Sequence, residues 1–195
     1  MPPAPGRPRS AEADRAILDA ALELLVERGV EGTSIERVAR LAGVTRATVY
    51  RRYPDRTRLL LAALQDGLAV PDELPVCDSV EEMLSLWARA LGGPDAARGR
   101  RLMRRLMTGL HDHPELHEAY HEASVERRER WIGSVLERSR DRGEFPADAD
   151  LGIVADILTS AVTTHLLTRP DTTTAREVED YFLSVLHHTC YRRRP

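Results

Sequence analysis

The sequence contains no lysine and no asparagine; all 28 of its basic side chains are arginine. No folding requirement excludes both residue types. Both have A-rich codons, so the two absences point to a high-GC bacterium as the source. A coding sequence of ordinary GC content would remove that explanation. Cysteine is scarce too. Cys77 and Cys190 stand 113 positions apart and form no CxxC pair. Free thiols in a reducing cytoplasm are expected, not a disulfide or a redox switch.

Long apolar runs are also missing. The longest, Leu59 to Leu64, is six residues, against the roughly 20 needed to span a bilayer. The opening MPPAPGRPRS has no apolar h-region, so neither a secretory signal nor a membrane partner is expected. There is no internal repeat, no low-complexity tract, no Walker loop, no GxGxxG and no visible Ser/His/Asp arrangement. These absences argue against an enzyme: no catalytic residue, cofactor or resident metal is expected.

What is present is an ordinary globular composition, 42% apolar and 30% charged over 195 residues. That length suits one domain or two small ones and can bury a core without staples. Charge is unevenly placed. Residues 1–60 carry a net +3 and the remainder −6. A basic module on an acidic body suggests an anionic partner at one end only.

β-branched alternation is scarce and helical periodicity is common, so the expected fold is all-α. Ile17, Ala20, Ala21, Leu24 and Leu25 form one apolar stripe, closed by Gly29 as a C-cap. Thr33-Ser-Ile-Glu36 reads as a capping box that starts a second helix near Ser34, with Ile35, Val38 and Ala39 inward. That helix stops before Gly43, and a third runs from Thr45 to about Arg52. Asp55 or Thr57 starts a fourth. The Pro-rich AVPDELPVCD follows as a linker. Further helices are expected at about 79–91, 95–110, 114–142, 149–168 and 174–190, the third of these opened by Pro114.

Residues 34–52 carry the main functional signal. Two helices meet at a short turn containing Gly43. Ala39 sits at their crossing, and Val44 and Val49 fill the seam. This is a helix-turn-helix pattern. The outward text of the second helix is Thr45, Arg46, Thr48, Tyr50, Arg51 and Arg52. Residues 45–58 hold five Arg against one Asp, the composition expected where guanidiniums and hydroxyls meet phosphates and base edges.

The stretch ILDAALELLVERGVEGTSIERVARLAGVTRATVYRRYPDRTRLL resembles the N-terminal domain of the TetR family of bacterial repressors. The matching positions are Ala20–Ala21, Gly29, Thr33–Ser34, Val38–Ala39, Ala42–Gly43–Val44, Tyr50, Tyr53, Arg56 and Leu59. The match covers about a quarter of the chain. It departs at Tyr53, where Phe is usual, at Arg56, where Lys is usual, and at Ala47, where Gly is frequent. The first two keep an aromatic plug and a charge; Ala47 bears on how closely the backbone nears the groove.

The resemblance implies a cytoplasmic, nucleoid-associated, sequence-specific DNA-binding transcriptional regulator, a repressor relieved by a small-molecule effector. It implies a disordered arm over 1–10, a three-helix DNA-binding domain over 11–56 and a helical effector-binding and dimerisation domain over 57–195. Arg46 and Arg51 are the candidates for base-edge contact. Thr45, Thr48, Tyr50 and Arg52 are expected at phosphates, beside Ala47. Thr33 caps a helix facing a phosphate, and Arg56 clamps the backbone. For Arg7 and Arg9 two readings are open: a flexible minor-groove arm or a disordered tail.

The partners implied are palindromic double-stranded operator DNA, an effector and a second copy of the chain. The last two helices pair with their copies through Leu151, Val154, Leu158, Val162 and His165, and Tyr181, Val185 and His188. These stripes also fit an intramolecular core. The effector pocket is expected among Trp87, Met103, Met107, Leu110, His111, Tyr120 and Trp131, apolar with a few polar tips.

Residues 117–121 read HEAYH, a literal match to the zinc-hydrolase motif H-E-x-x-H. A hydrolase needs a third ligand, an open coordination position and a cleft, and nothing marks Glu137 or Glu144 as that ligand. Glu115, Glu118 and Glu122 near a helix start supply an electrostatic account of the same text. A third reading is a metal-responsive regulator built on His111, His113, His117 and His121.

Overall fold

The computed structural model describes residues 8–67, 74–94 and 96–193. Arg7, the side chain of Arg9 and linker residues 69–73 lie outside the described residues. The described residues form helices and no strand, and they fall into two compact units. The first comprises residues 1–70 and 105–121, the second 71–104 and 122–195. These units do not follow the sequence boundary at 56/57.

In the first unit α1 runs Pro8–Arg28, and its expected stripe is buried: Ile17, Ala20, Ala21, Leu24 and Leu25. α2 (Ile35–Leu41) ends in a Schellman turn. The Val44 N–H reaches Ala39 O (2.9 Å) and the Gly43 N–H reaches Arg40 O (3.3 Å). Gly43 takes φ +66° there, a left-handed conformation glycine adopts without a Cβ clash. Thr45 then caps α3 (Arg46–Tyr50), and Val49 is wholly buried beneath it. α4 (Arg56–Gly67) buries Leu59, Leu60, Leu61, Ala63 and Leu64 and packs on α1 and α7. The later half of α6 (Ala97–Gly109), a 3-10 turn at Leu110–Asp112 and α7 (Pro114–Tyr120) complete this unit.

The second unit contains α5 (Val80–Leu91), α8 (Glu126–Asp141), α9 (Leu151–Thr168) and α10 (Ala175–His187). They share a core that includes Met83, Leu84, Ile132, Leu136, Leu158, Val178 and Phe182. A Cβ on Gly92 would lie 2.2 Å from Ala175 Cα, so that close approach requires glycine. Cys77 is buried, Cys190 exposed, and both are free.

Two expectations need correction. The cap of α2 is Ser34, one residue later than the Thr33 capping box; Ser34 Oγ accepts from the Arg37 N–H at 3.3 Å. The single helix over 114–142 is instead α7, a π-helical segment at His121–Val125, and α8.

α9 is the one described helix long and apolar enough by composition to cross a membrane. Its apolarity has a local account. Val154, Leu158, Ala161, His165 and Leu166 face the core, while Ile153, Ile157 and Leu167 are exposed.

Candidate nucleic-acid interface

The outer face of α3 follows from its cap. The Thr45 hydroxyl accepts from the Thr48 N–H at 3.1 Å and lies 2.9 Å from the Thr48 hydroxyl. That closes the first turn and satisfies an otherwise orphaned donor. With Val49 anchored inward, Thr45, Arg46, Ala47, Tyr50 and Arg51 are exposed and Thr48 is half-buried. Arg46 meets Glu36 at 3.4 Å, with the two side chains 66% and 50% exposed. A pair so open is screened by water and weak, so it yields readily to a phosphate or a guanine edge. The Glu36 carboxyl is held below its ordinary range, first by its own backbone N–H and then by the Ser34 hydroxyl.

Three of the expected contacts point elsewhere. Thr33 is 1% exposed, and its hydroxyl donates to Gly29 O at 2.8 Å. It ties α1 to the following turn and presents nothing to a phosphate. Arg52 forms an ion pair with Asp14 of α1 and donates to Thr48 O at 3.2 Å. Its side chain is only 15% exposed, so it braces α3 against α1. Arg56 donates to Thr33 O at 2.9 Å and to Val30 O. Its guanidinium satisfies carbonyls of the α1–α2 connection.

Sequence reasoning assigned no contact to Arg58, which is exposed in the first turn of α4. The Asp55 carboxylate caps that turn through the Arg58 N–H at 2.7 Å, which was legible in the Asp before the helix. Exposed Arg37 and Arg40 add positive charge on α2.

Arg56→Ala is therefore expected to act on stability. The part-buried Thr33 carbonyl loses its side-chain donor and the Val30 carbonyl keeps only the Thr33 N–H at 3.0 Å, which costs about 1 kcal/mol. The salt dependence of DNA binding should stay the same. Denaturant unfolding and a salt series check this together; a slope reduced by about one with unchanged stability would place the guanidinium on the DNA instead.

The dimer residues expected from sequence need the same sorting. Val154, Leu158 and His165 are 4%, 0% and 2% exposed within their own unit, so they belong to its core. Leu151, Val162, Tyr181 and Val185 are half-buried and His188 is exposed. The stripe that α9 leaves open is Ile153, Ile157, Ser160, Thr164 and Leu167, spaced i, i+4, i+7, i+11 and i+14.

The seven effector-pocket residues do not all share a unit. Trp87, Met103 and Trp131 lie in the second; Met107, Leu110, His111 and Tyr120 lie in the first. Leu110 and Tyr120 are buried. Trp131 donates to Pro75 O at 2.8 Å, and Trp87 packs edge-on against Phe182. Two cavities among the described residues have other walls. One of about 390 Å³ in the first unit is lined by residues that include Val30, Arg56, Leu60, His113 and Leu116. One of about 250 Å³ in the second is lined by His165, Arg169, Pro170, Thr173, Glu177 and Tyr181.

The histidines form a column, not a coordination shell. His111 stacks on His117 with centroids 5.7 Å apart, and His117 lies 6.3 Å from His121. His113 turns away to Glu31 at 3.3 Å. Among the described residues no group of three or more His, Cys, Asp or Glu is disposed to hold an ion. The HEAYH and metal-responsive readings find no support in this geometry.

Comparison with known proteins fits the geometry of α2 and α3. A family model described as "Bacterial regulatory proteins, tetR family" matches residues 17–63, and one described as "Tetracyclin repressor-like, C-terminal domain" matches residues 70–183. The HTH-type transcriptional regulator AqdR of Rhodococcus erythropolis is 30% identical over 186 residues, covering 90% of this chain and 86% of that protein. Among solved structures, a TetR-family transcriptional regulator from Rhodococcus sp. superposes with TM-score 0.71 at 20% identity, over 92% of this chain and 99% of that one. A transcriptional regulator from Saccharomonospora viridis in complex with choline gives TM-score 0.70 at 20% identity, over 94% and 100%.

Proposed function

Since this chain belongs to the TetR family and is a helix-turn-helix transcriptional regulator, we propose that it acts as a homodimeric repressor of a palindromic operator, released by a small-molecule effector. The observation that carries this is the exposed face of α3, where Arg46, Tyr50 and Arg51 project from a helix held by the Thr45 cap and buried Val49. Arg46 and Arg51 read base edges, since a guanidinium fits guanine O6 and N7 bidentately. Thr45, Tyr50 and the newly recognised Arg58 set register on phosphates. The protein acts in the cytoplasm, at the nucleoid.

The test is binding of the purified protein to the intergenic DNA flanking its own gene, against random DNA, over a salt series. Tight, salt-steep binding with a specific-to-random ratio of about 10³ or more is expected. Equal, weak binding to both would sink the reading for that DNA.

One short reading helix contacts few base pairs, so two copies are needed. The open α9 stripe, Ile153, Ile157, Ser160, Thr164 and Leu167, supports a helix-to-helix contact between copies. Ile157→Glu is expected to give a monomer at micromolar concentration by sedimentation velocity. Operator affinity should fall by about 10²-fold or more as the second head is lost. A dimer that persists with unchanged affinity would move the interface to another face.

A further inference from the structure

The cavity between the end of α9 and the start of α10 has an unusual wall. His165 is 2% exposed, yet neither of its ring nitrogens has a hydrogen-bond partner. Its ring rests on Tyr181 and Phe182, with centroids 5.8 and 6.1 Å away. An imidazole in its neutral form still carries one donor and one acceptor, and leaving both unmet in a buried site is costly. Arg100 makes the contrast: also 2% exposed, it donates to Leu91 O, Gly93 O and Asp171. His165 faces a cavity instead.

The charges around it have a sign. Burial first, then the guanidiniums of Arg169 and Arg100, hold the His165 imidazole below its ordinary value. Both charged groups acting on the ring are cations. Arg169 has no carboxylate partner among the described residues; it lies over the Tyr181 ring, 5.8 Å from the centroid. Glu177 is the one carboxylate on the wall. Its Oε2 is already taken by the Thr174 N–H and hydroxyl, each at 2.8 Å, in the capping box of α10. A cavity of about 250 Å³ falls just below the roughly 300–1,000 Å³ of drug-sized sites, so its ligand is small.

We propose that this cavity binds a small organic carboxylate, its anionic end accepting from the His165 imidazole and the Arg169 guanidinium, its carbon body lying on Tyr181 and Pro170. Charge-assisted donors of this kind bind anions more strongly than neutral amides. The use of this site as the effector site rests on the regulator reading; the binding itself does not.

Calorimetric titration of the full chain at pH 7 with benzoate, benzamide and choline tests the site without DNA. Benzoate is expected to bind with Kd of about 1 mM or below, and the neutral and cationic probes at least about tenfold more weakly. Arg169→Gln, at an exposed position, and His165→Gln should each lower benzoate affinity about tenfold. No benzoate binding, equal or stronger binding of benzamide or choline, or an Arg169→Gln protein with unchanged affinity overturns the proposal. A second titration adds benzoate to the protein–operator complex. Benzoate that binds but leaves operator affinity unchanged keeps the site and removes its effector role; failure to bind operator at all bears only on the regulator reading.

Discussion

Replacing Asp171 with alanine is expected to destabilise the second unit by about 3 kcal/mol. The reason is the guanidinium it leaves behind. Arg100 is 2% exposed and contacts the Asp171 carboxylate through Nε at 3.3 Å, while Arg104 contacts the same carboxylate at 2.8 and 3.0 Å. Breaking a buried pair by removing one partner typically costs about 3–5 kcal/mol, because an uncompensated charge stays inside. The Asp171 side chain is itself 39% exposed, so water screens part of the interaction and the lower end applies. Asp171→Asn keeps an acceptor oxygen and should cost less. Hydrogen bonds from Arg104 first, with Arg100 adding to them, hold the Asp171 carboxyl below its ordinary value of 3.8. A lowered native value means stability that is fully present above the ordinary value and lost as pH falls through the native one. The gap between wild type and Asp171→Asn should therefore stay constant from pH 7 to about 5 and close below about pH 4. Denaturant unfolding across that range checks both parts. A loss under about 1 kcal/mol at pH 7 for Asp171→Ala would show that the three backbone carbonyls alone satisfy Arg100.

The helix-turn-helix was legible because its determinants are local. The spacing of Ile35, Val38, Ala39 and Val49 fixes which faces turn inward, and all four are buried. Gly43 and Thr45 mark the turn and the cap, and the structure uses both. The cap of α2 slipped by one residue because Thr33 and Ser34 are both competent caps. Which one serves depends on where the chain leaves Gly29, and the Thr33 hydroxyl is drawn to the Gly29 carbonyl.

The directions of long side chains were less legible. Arg46, Arg51, Arg52 and Arg56 look alike in a sequence, and each can reach several ångströms. What separates them is the location of acceptors distant in the chain: Asp14 for Arg52, Val30 and Thr33 for Arg56. The π segment at His121–Val125 has no Gly or Pro to announce it. α9 misled for a different reason. It is apolar on most of its circumference, so periodicity supports two stripes equally. The stripe through Val154 and Leu158 fills the core, and the one through Ile153 and Ile157 stays open.

Arg51 is the position where a single substitution should most change what the protein reads. It closes α3, its backbone N–H bonds Ala47 O at 3.1 Å, and its side chain is exposed. Arg51→Ala should leave stability within about 0.5 kcal/mol, as surface changes usually do. Specific affinity should fall by about 1–3 kcal/mol per half-site, and preference should relax at one base position. Lysine supplies the discriminating variant. Arg51→Lys keeps the charge but loses the planar fork that pairs with guanine O6 and N7. A base-reading Arg51 predicts that the lysine variant matches alanine in sequence preference while retaining most affinity for random DNA. A phosphate-binding Arg51 predicts that lysine restores both. Binding selection on a randomised half-site, run with all three proteins at one salt concentration, separates these outcomes. An alanine variant whose specific-to-random ratio equals that of the wild type would remove Arg51 from the reading face and leave Arg46 to carry it.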